Sequence, residues 1–178
     1  AGPGGKGTLE LSRATLEDQT LRSPLSIRAS SHQKGKPPEA AFDSDPRTSW
    51  RAQADDASPW WSMDFGRIMR FGGLLIGWPQ PLPPRAYVVE ISNDSDSWRI
   101  LHRGHGARGG KSHISAQGGE ARYLRISFNN AACAALGSVH LKPDAFAATP
   151  NEFIHSVAAD YPRGWFPRYW YREQSYWT

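Results

Sequence analysis

The stretch Ala40-Ala41-Phe42-Asp43-Ser44-Asp45-Pro46-Arg47-Thr48-Ser49-Trp50 decides how the chain is read. Two aspartates, a threonine and a closing tryptophan share one short segment rich in turn formers. Outward from it, the chain is written in short strands. Upstream, Leu25-Ser26-Ile27-Arg28-Ala29 alternates apolar and polar residues as a half-buried strand does, and so does Thr8-Leu9-Glu10-Leu11-Ser12. Between them and the segment, His32-Gln33-Lys34-Gly35-Lys36-Pro37-Pro38 has the composition of a loop. Downstream come Trp61 to Phe65, Phe71 to Trp78, Ala86 to Ile91, Trp98 to Leu101, Ala121 to Phe128 and Leu136 to Leu141. Gly, Pro, Asn, Asp or Ser separates most of them. Such spacing predicts an all-β, antiparallel β-sandwich, and it argues against an α/β enzyme fold.

Composition narrows the classes further. The 178 residues suit one ordinary domain with an extension, long enough to bury a core. No apolar run approaches the ~18 residues of a membrane span, so no transmembrane segment is expected. A single cysteine excludes an internal disulfide framework and any cysteine-rich zinc site. A formal charge of +4 is too small to argue for nucleic acid. Residues 1–7 are glycine-rich and expected to be disordered, residues 8–142 to form the sandwich, and residues 143–178 to be a linker, a short helix and an aromatic extension. On that helix Phe153, Ile154 and Val157 share a face. The last 18 residues carry Tyr161, Trp165, Phe166, Tyr169, Trp170, Tyr171, Tyr176 and Trp177, which need something to pack against. A larger polypeptide, with a further domain after residue 178, is the expectation.

The opening segment resembles the A-x-D-G-D-x-x-T-x-W element of the coagulation factor 5/8 type C (discoidin) family, whose bacterial members include many carbohydrate-binding modules. The resemblance continues in order. Ser58-Pro59-Trp60-Trp61-Ser62-Met63-Asp64-Phe65-Gly66 is similar to the family's W-x-x-D-L-G strand. Tyr87 to Trp98 is similar to Y-x-V-x-x-S-x-D-G-x-x-W, and Ala121-Arg122-Tyr123-Leu124-Arg125-Ile126 to A-R-Y-L-R-I. Together these elements cover roughly residues 25–142. They imply the discoidin, galactose-binding-like jelly roll. Read beside the apolar runs, Trp50, Trp61 and Trp98 are expected in the core.

The resemblance also implies a structural Ca²⁺ in the Asp-x-Asp-x-x-Thr loop, where hard oxygen ligands suit the ion. Carried over, it would be held by Ala40 (carbonyl), Asp43 (carboxylate), Asp45 (carbonyl) and Thr48. The family's closing-strand glutamate matches Ser138 here, so one charged ligand is missing. Family modules bind sugars with loops at one end of the sandwich. Trp60 is the aromatic candidate, because its neighbour Trp61 takes the core position and alternation turns Trp60 outward. Arg51, Gln53, Asp55 and Asp56 lie near it in sequence. The proline-stiffened loop from Pro79 to Arg85 offers Gln80 and Arg85, and the turn after Phe128 offers Asn129 and Asn130.

Other chemistries find less support. The basic stretch Leu101 to Ser112 is read as a loop. It lacks the first glycine and the helix of a P-loop, and His102, His105 and His113 lack the rigid spacing of a metal site. Asp55 and Asp56 are adjacent, so they point apart and cannot flank one bond. Cys133, among alanines, reads as a packing residue, and no nucleophile elbow is present. The tail from Pro162 to Thr178 is similar to the junction that precedes a glycoside-hydrolase-like catalytic region in large bacterial proteins.

The expected function is therefore a non-catalytic carbohydrate-binding module of a secreted or periplasmic bacterial enzyme. Its expected partners are a polysaccharide or oligosaccharide and the catalytic region of the same polypeptide. Two alternatives stand beside it. One is a structural module that packs against the catalytic region without binding sugar. The other is a discoidin domain that binds lipid or protein.

Overall fold

A computed structural model describes residues 24–43, 45–79, 86–105 and 110–159. Within them the strands are β1 (Ser26–Ala29), β2 (Trp50–Arg51), β3 (Trp60–Gly77), β4 (Ala86–Ser92), β5 (Arg99–His105), β6 (Lys111–Phe128), β7 (Ala135–Leu136) and β8 (Ser138–Lys142). One helix, α1 (Pro150–Ala159), follows. The strand expected at Thr8–Ser12, the glycine-rich start and the aromatic tail lie outside the described residues.

β3 and β6 organise the molecule. Each has 18 residues and they run antiparallel in three stretches, Trp60–Asp64 against Tyr123–Ser127, Met69–Phe71 against Gly119–Ala121 and Gly73–Gly77 against Lys111–Ser115. The register shifts between Asp64 and Met69 and again between Phe71 and Gly73. Bulges of this kind bend and twist a ribbon, and Gly66 at φ +71° and Gly118 at φ +66° supply backbone that other residues rarely adopt. The ribbon folds over itself, and its two halves become the two layers of an antiparallel β-sandwich. The first layer runs β1-β3-β6-β4-β5; in the second, β8 pairs with the far half of β3. The runs Trp61–Phe65 and Phe71–Trp78, expected as two strands, are thus one strand with a bend, because bulges preserve hydrogen bonding where glycine interrupts the apolar pattern.

The core lies between the layers. Trp50, Trp61, Phe71, Leu74, Ile76, Leu124, Ile126, Leu136 and Val139 are all fully buried. Burying each such side chain stabilises the fold by roughly 1.5–3 kcal/mol. A buried indole N–H needs an acceptor. Trp50 donates to the Ser31 carbonyl at 3.0 Å, and Trp61 to the Pro38 carbonyl at 2.9 Å. Phe128 joins the layers, 5.8 Å from the Trp50 ring and 6.5 Å from Trp78.

Two expectations are corrected here. Trp98 is not a core residue. It is partly exposed, and the Arg125 guanidinium lies over its ring at 4.0 Å. Its place just after a hydrogen-bonded turn, before β5 begins, puts it at the sheet's rim. The stretch Leu101–Ser112 is not chiefly a loop either. Leu101–His105 belongs to β5 and Lys111–Ser112 to β6, and His102 packs on Tyr87 with ring centroids 5.8 Å apart.

Residues 143–159 pack back onto the second layer. A β-carbon on Gly73 would lie 2.5 Å from the Phe146 ring, and one on Gly72 would meet the Pro143 carbonyl, so both positions require glycine. Phe146 meets Phe153 of α1 edge-on at 5.4 Å, and Val157 is buried. Thr149 caps the helix, accepting the Glu152 amide at 3.2 Å, with Pro150 at the first helical position.

Candidate functional site

The loops that precede and follow β2, the end of β3 and the loop that follows β6 gather at one end of the sandwich. Backbone bonds tie them together. The Gln33 amide donates to the Arg51 carbonyl at 2.9 Å, Ala52 to Ala134 at 3.0 Å, Phe128 to Pro59 at 2.9 Å and Gly137 to Gly77 at 2.9 Å. Arg51, Gln53, Asp55, Trp60 and Asn129, widely spaced in sequence, are brought to this end.

Asp56 is the knot of the end. Its carboxylate accepts from the hydroxyls of Ser30 at 2.5 Å and Ser31 at 2.6 Å and from the Ser58 amide at 3.1 Å. Ser30 in turn accepts the Trp60 amide, and Ser31 accepts the Gln53 amide, each at 3.0 Å. Partial burial would raise the Asp56 pKa, but the two hydroxyls and the amide outweigh it and hold the carboxyl below its ordinary value. Asp56 is therefore occupied in holding Trp60 and Gln53 in place. Ser30 and Ser31 have this role without a local sequence signal, since their partner is 25 or 26 residues away.

Trp60 opens β3 with its side chain on the solvent side, partly exposed, while Trp61 is fully buried, as alternation requires. Gln53, Asp55 and Asn129 are exposed and Arg51 half-buried. None of these four side chains has a hydrogen bond or ion pair to a described residue. Polar groups left uncommitted beside an aromatic are what a polar ligand needs. Gln80 and Arg85 lie outside the described residues.

The Asp43–Thr48 turn lies beside this end and converges oxygens. The Thr48 hydroxyl is 2.9 and 2.8 Å from the two Asp43 carboxylate oxygens, 2.9 Å from the Asp45 carbonyl and 3.2 Å from the Ala40 carbonyl. A hydroxyl has one proton, so it can satisfy only one of these acceptors fully. A donor set of carboxylate, carbonyls and hydroxyl fits a hard cation such as Ca²⁺. The Asp45 carboxylate faces away, held by the Arg47 guanidinium at 2.8 and 3.0 Å, which keeps its pKa below the ordinary value. Asp43 alone thus supplies charge, and no cluster of three His, Cys, Asp or Glu forms among the described residues. Ser138 stands on β8 opposite Gly77, with no described hydrogen bond to the turn.

Solved structures show the same fold. Chitosan-binding module 1 from the chitosanase/glucanase of Paenibacillus sp. IK-5 superposes with a TM-score of 0.60 at 20% identity, covering 68% of this chain and 96% of that one. The family 32 carbohydrate-binding module of C. perfringens NanJ, solved with galactose, gives 0.59 at 14% identity, covering 65% and 91%. The CBM32 of AlyQ, solved with 4,5-unsaturated mannuronic acid, gives 0.56 at 21%, covering 67% and 95%. No curated protein sequence matches the chain. The model of the F5/8 type C domain matches residues 26–138, well over half of the chain, and the protein belongs to that family.

Proposed function

We propose that this chain is a non-catalytic carbohydrate-binding module that holds an attached polysaccharide-active enzyme on its glycan. The observation that carries the reading is the loop end itself. Arg51, Gln53, Asp55 and Asn129 have no described intramolecular partner, and they share that end with the half-exposed Trp60, which the Asp56 knot holds in place. A rigid aromatic with fixed polar neighbours binds a sugar at little entropic cost. Tethered this way, weak individual binding raises the enzyme's effective concentration on the polymer. Ca²⁺ held by Ala40, Asp43, Asp45 and Thr48 would brace the loop end without entering the sugar contacts. The protein would work outside the cell or in the periplasm.

Isothermal titration with oligosaccharides tests this. Trp60→Ala and Gln53→Ala should each weaken binding by about tenfold or more while leaving the fold intact. Binding unchanged in both variants would refute the assignment of the site. The alternative is a structural module that packs against the catalytic region. On that reading no oligosaccharide binds.

A further inference from the structure

The outer face of the five-stranded layer carries a second arrangement, which adjoins the loop end at Trp60. Register places its outward residues in rows. One row reads Arg28, Ser62, Arg125, Glu90 and Ile100 across β1, β3, β6, β4 and β5; the next reads Trp60, Ser127, Val88 and Arg103 across β3, β6, β4 and β5. Arg125 is fixed from two sides. Its Nε donates to Glu90 Oε2 at 2.9 Å, and its guanidinium lies 4.0 Å over the Trp98 ring. Ser127 donates to the same carboxylate oxygen at 2.9 Å. Arginine has five N–H donors and only Nε is engaged here, so the rest form a pre-ordered array. Arg28 and Arg103 are exposed and make no ion pair with a described residue. Strands are about 4.8 Å apart, so the strands that carry the three arginines, β1, β6 and β5, lie at roughly 10 Å intervals across the sheet.

We infer that this face binds an acidic polysaccharide, a polyuronate-like chain, lying across the strands. Charge complementarity identifies the occupant. The carboxylates of the face, Asp64 and Glu90, are both paired, with Arg122 and Arg125. Arg28 and Arg103, at either side, make no ion pair with a described residue and act on Asp64 and Glu90 only through space, so the face keeps a net positive charge. A polymer with one negative charge per ~1.7 Å, such as duplex DNA, would bring phosphates against Glu90 and Asp64. A chain with sparser carboxylates and many hydroxyls meets cations at intervals, and between them the hydroxyls of Ser62 and Ser127 and the carboxylate of Glu90. Such contacts are cationic and exposed, so binding weakens as salt rises.

Affinity electrophoresis of the full chain through gels containing polygalacturonate, with neutral dextran gels as control, tests the inference. The polyuronate should retard the protein, and less so at high salt. Arg28→Gln with Arg103→Gln should cut retention by about three- to tenfold, whereas Arg67→Gln, an exposed position at the bend of β3, should keep it. Should the double glutamine variant melt early, Arg28→Lys with Arg103→Lys restores the charge and should bind as the parent does. Absence of retardation, or equal retention by the glutamine variant, overturns the proposal. So does equal binding to duplex DNA or to phosphatidylserine vesicles, which would mark a nonspecific polyanion surface.

Discussion

The Asp94 carboxylate closes the β4–β5 turn together with the Ser92 hydroxyl, which accepts the Asp94 and Ser95 amides. Asp94 Oδ1 accepts the amides of Ser97 at 2.8 Å and Asp96 at 2.9 Å and the Ser92 hydroxyl at 2.9 Å, and Ser95 sits at φ +70° inside the loop. These donors bring its pKa down to about 2. A carboxyl depressed on folding adds stability above its unfolded pKa, near 3.9, and loses it as pH falls through the folded value. The melting temperature should therefore drop between about pH 4 and pH 2, and Asp94→Asn should flatten part of that drop. An identical pH profile in the variant would contradict the role. Trp60 and Trp61 give a second residue-scale contrast. Trp61→Ala should destabilise by about 3–5 kcal/mol in chemical denaturation, and Trp60→Ala by much less. Alternation along one strand made this pair legible, because each pleat reverses the side chain. It did not reach Trp98, whose position depends on Arg125, a residue on another strand. Asp56 was visible as a polar loop residue, but two of its three donors, Ser30 and Ser31, come from chain positions that only the fold brings together.

At the scale of elements, the strand text was legible and the long bent ribbon was not. Gly66, lying between two expected strands, read as a break, although glycine inside a strand can equally mark a bulge. The α1 segment was legible from its apolar spacing, but nothing local marked where it would dock. The docking rests on Gly73 and Phe146. Gly73→Ala should destabilise by about 1–3 kcal/mol, since the ring and the Ile114 carbonyl leave no room for a methyl group. Phe146→Ala should also destabilise, and combining the two should cost less than their sum, because the shortened side chain makes space. Strict additivity in denaturant midpoints would show that the two residues do not meet.

At the scale of the molecule, the family was legible because its motifs are core and turn positions, which recur wherever the sandwich does. The ligand-facing residues are less legible, since exposed loop positions answer to a ligand that the core does not see. The oxygen-lined turn adds a whole-molecule expectation. Millimolar Ca²⁺ should raise the melting temperature by about a few degrees, a modest gain because Asp43 alone is charged, and Asp43→Ala should abolish the rise. Identical melting of the parent with Ca²⁺ and with chelator would remove the ion from the account.

The central claim is sugar binding at the loop end, and a glycan array spanning neutral and acidic polysaccharides tests it most directly. Applied as the full 178-residue chain, the protein should bind a defined set of glycans. The Trp60→Ala variant, folded by circular dichroism, should lose the neutral members of that set. Silence of the parent across the array, or a pattern that Trp60→Ala leaves unchanged, would contradict it.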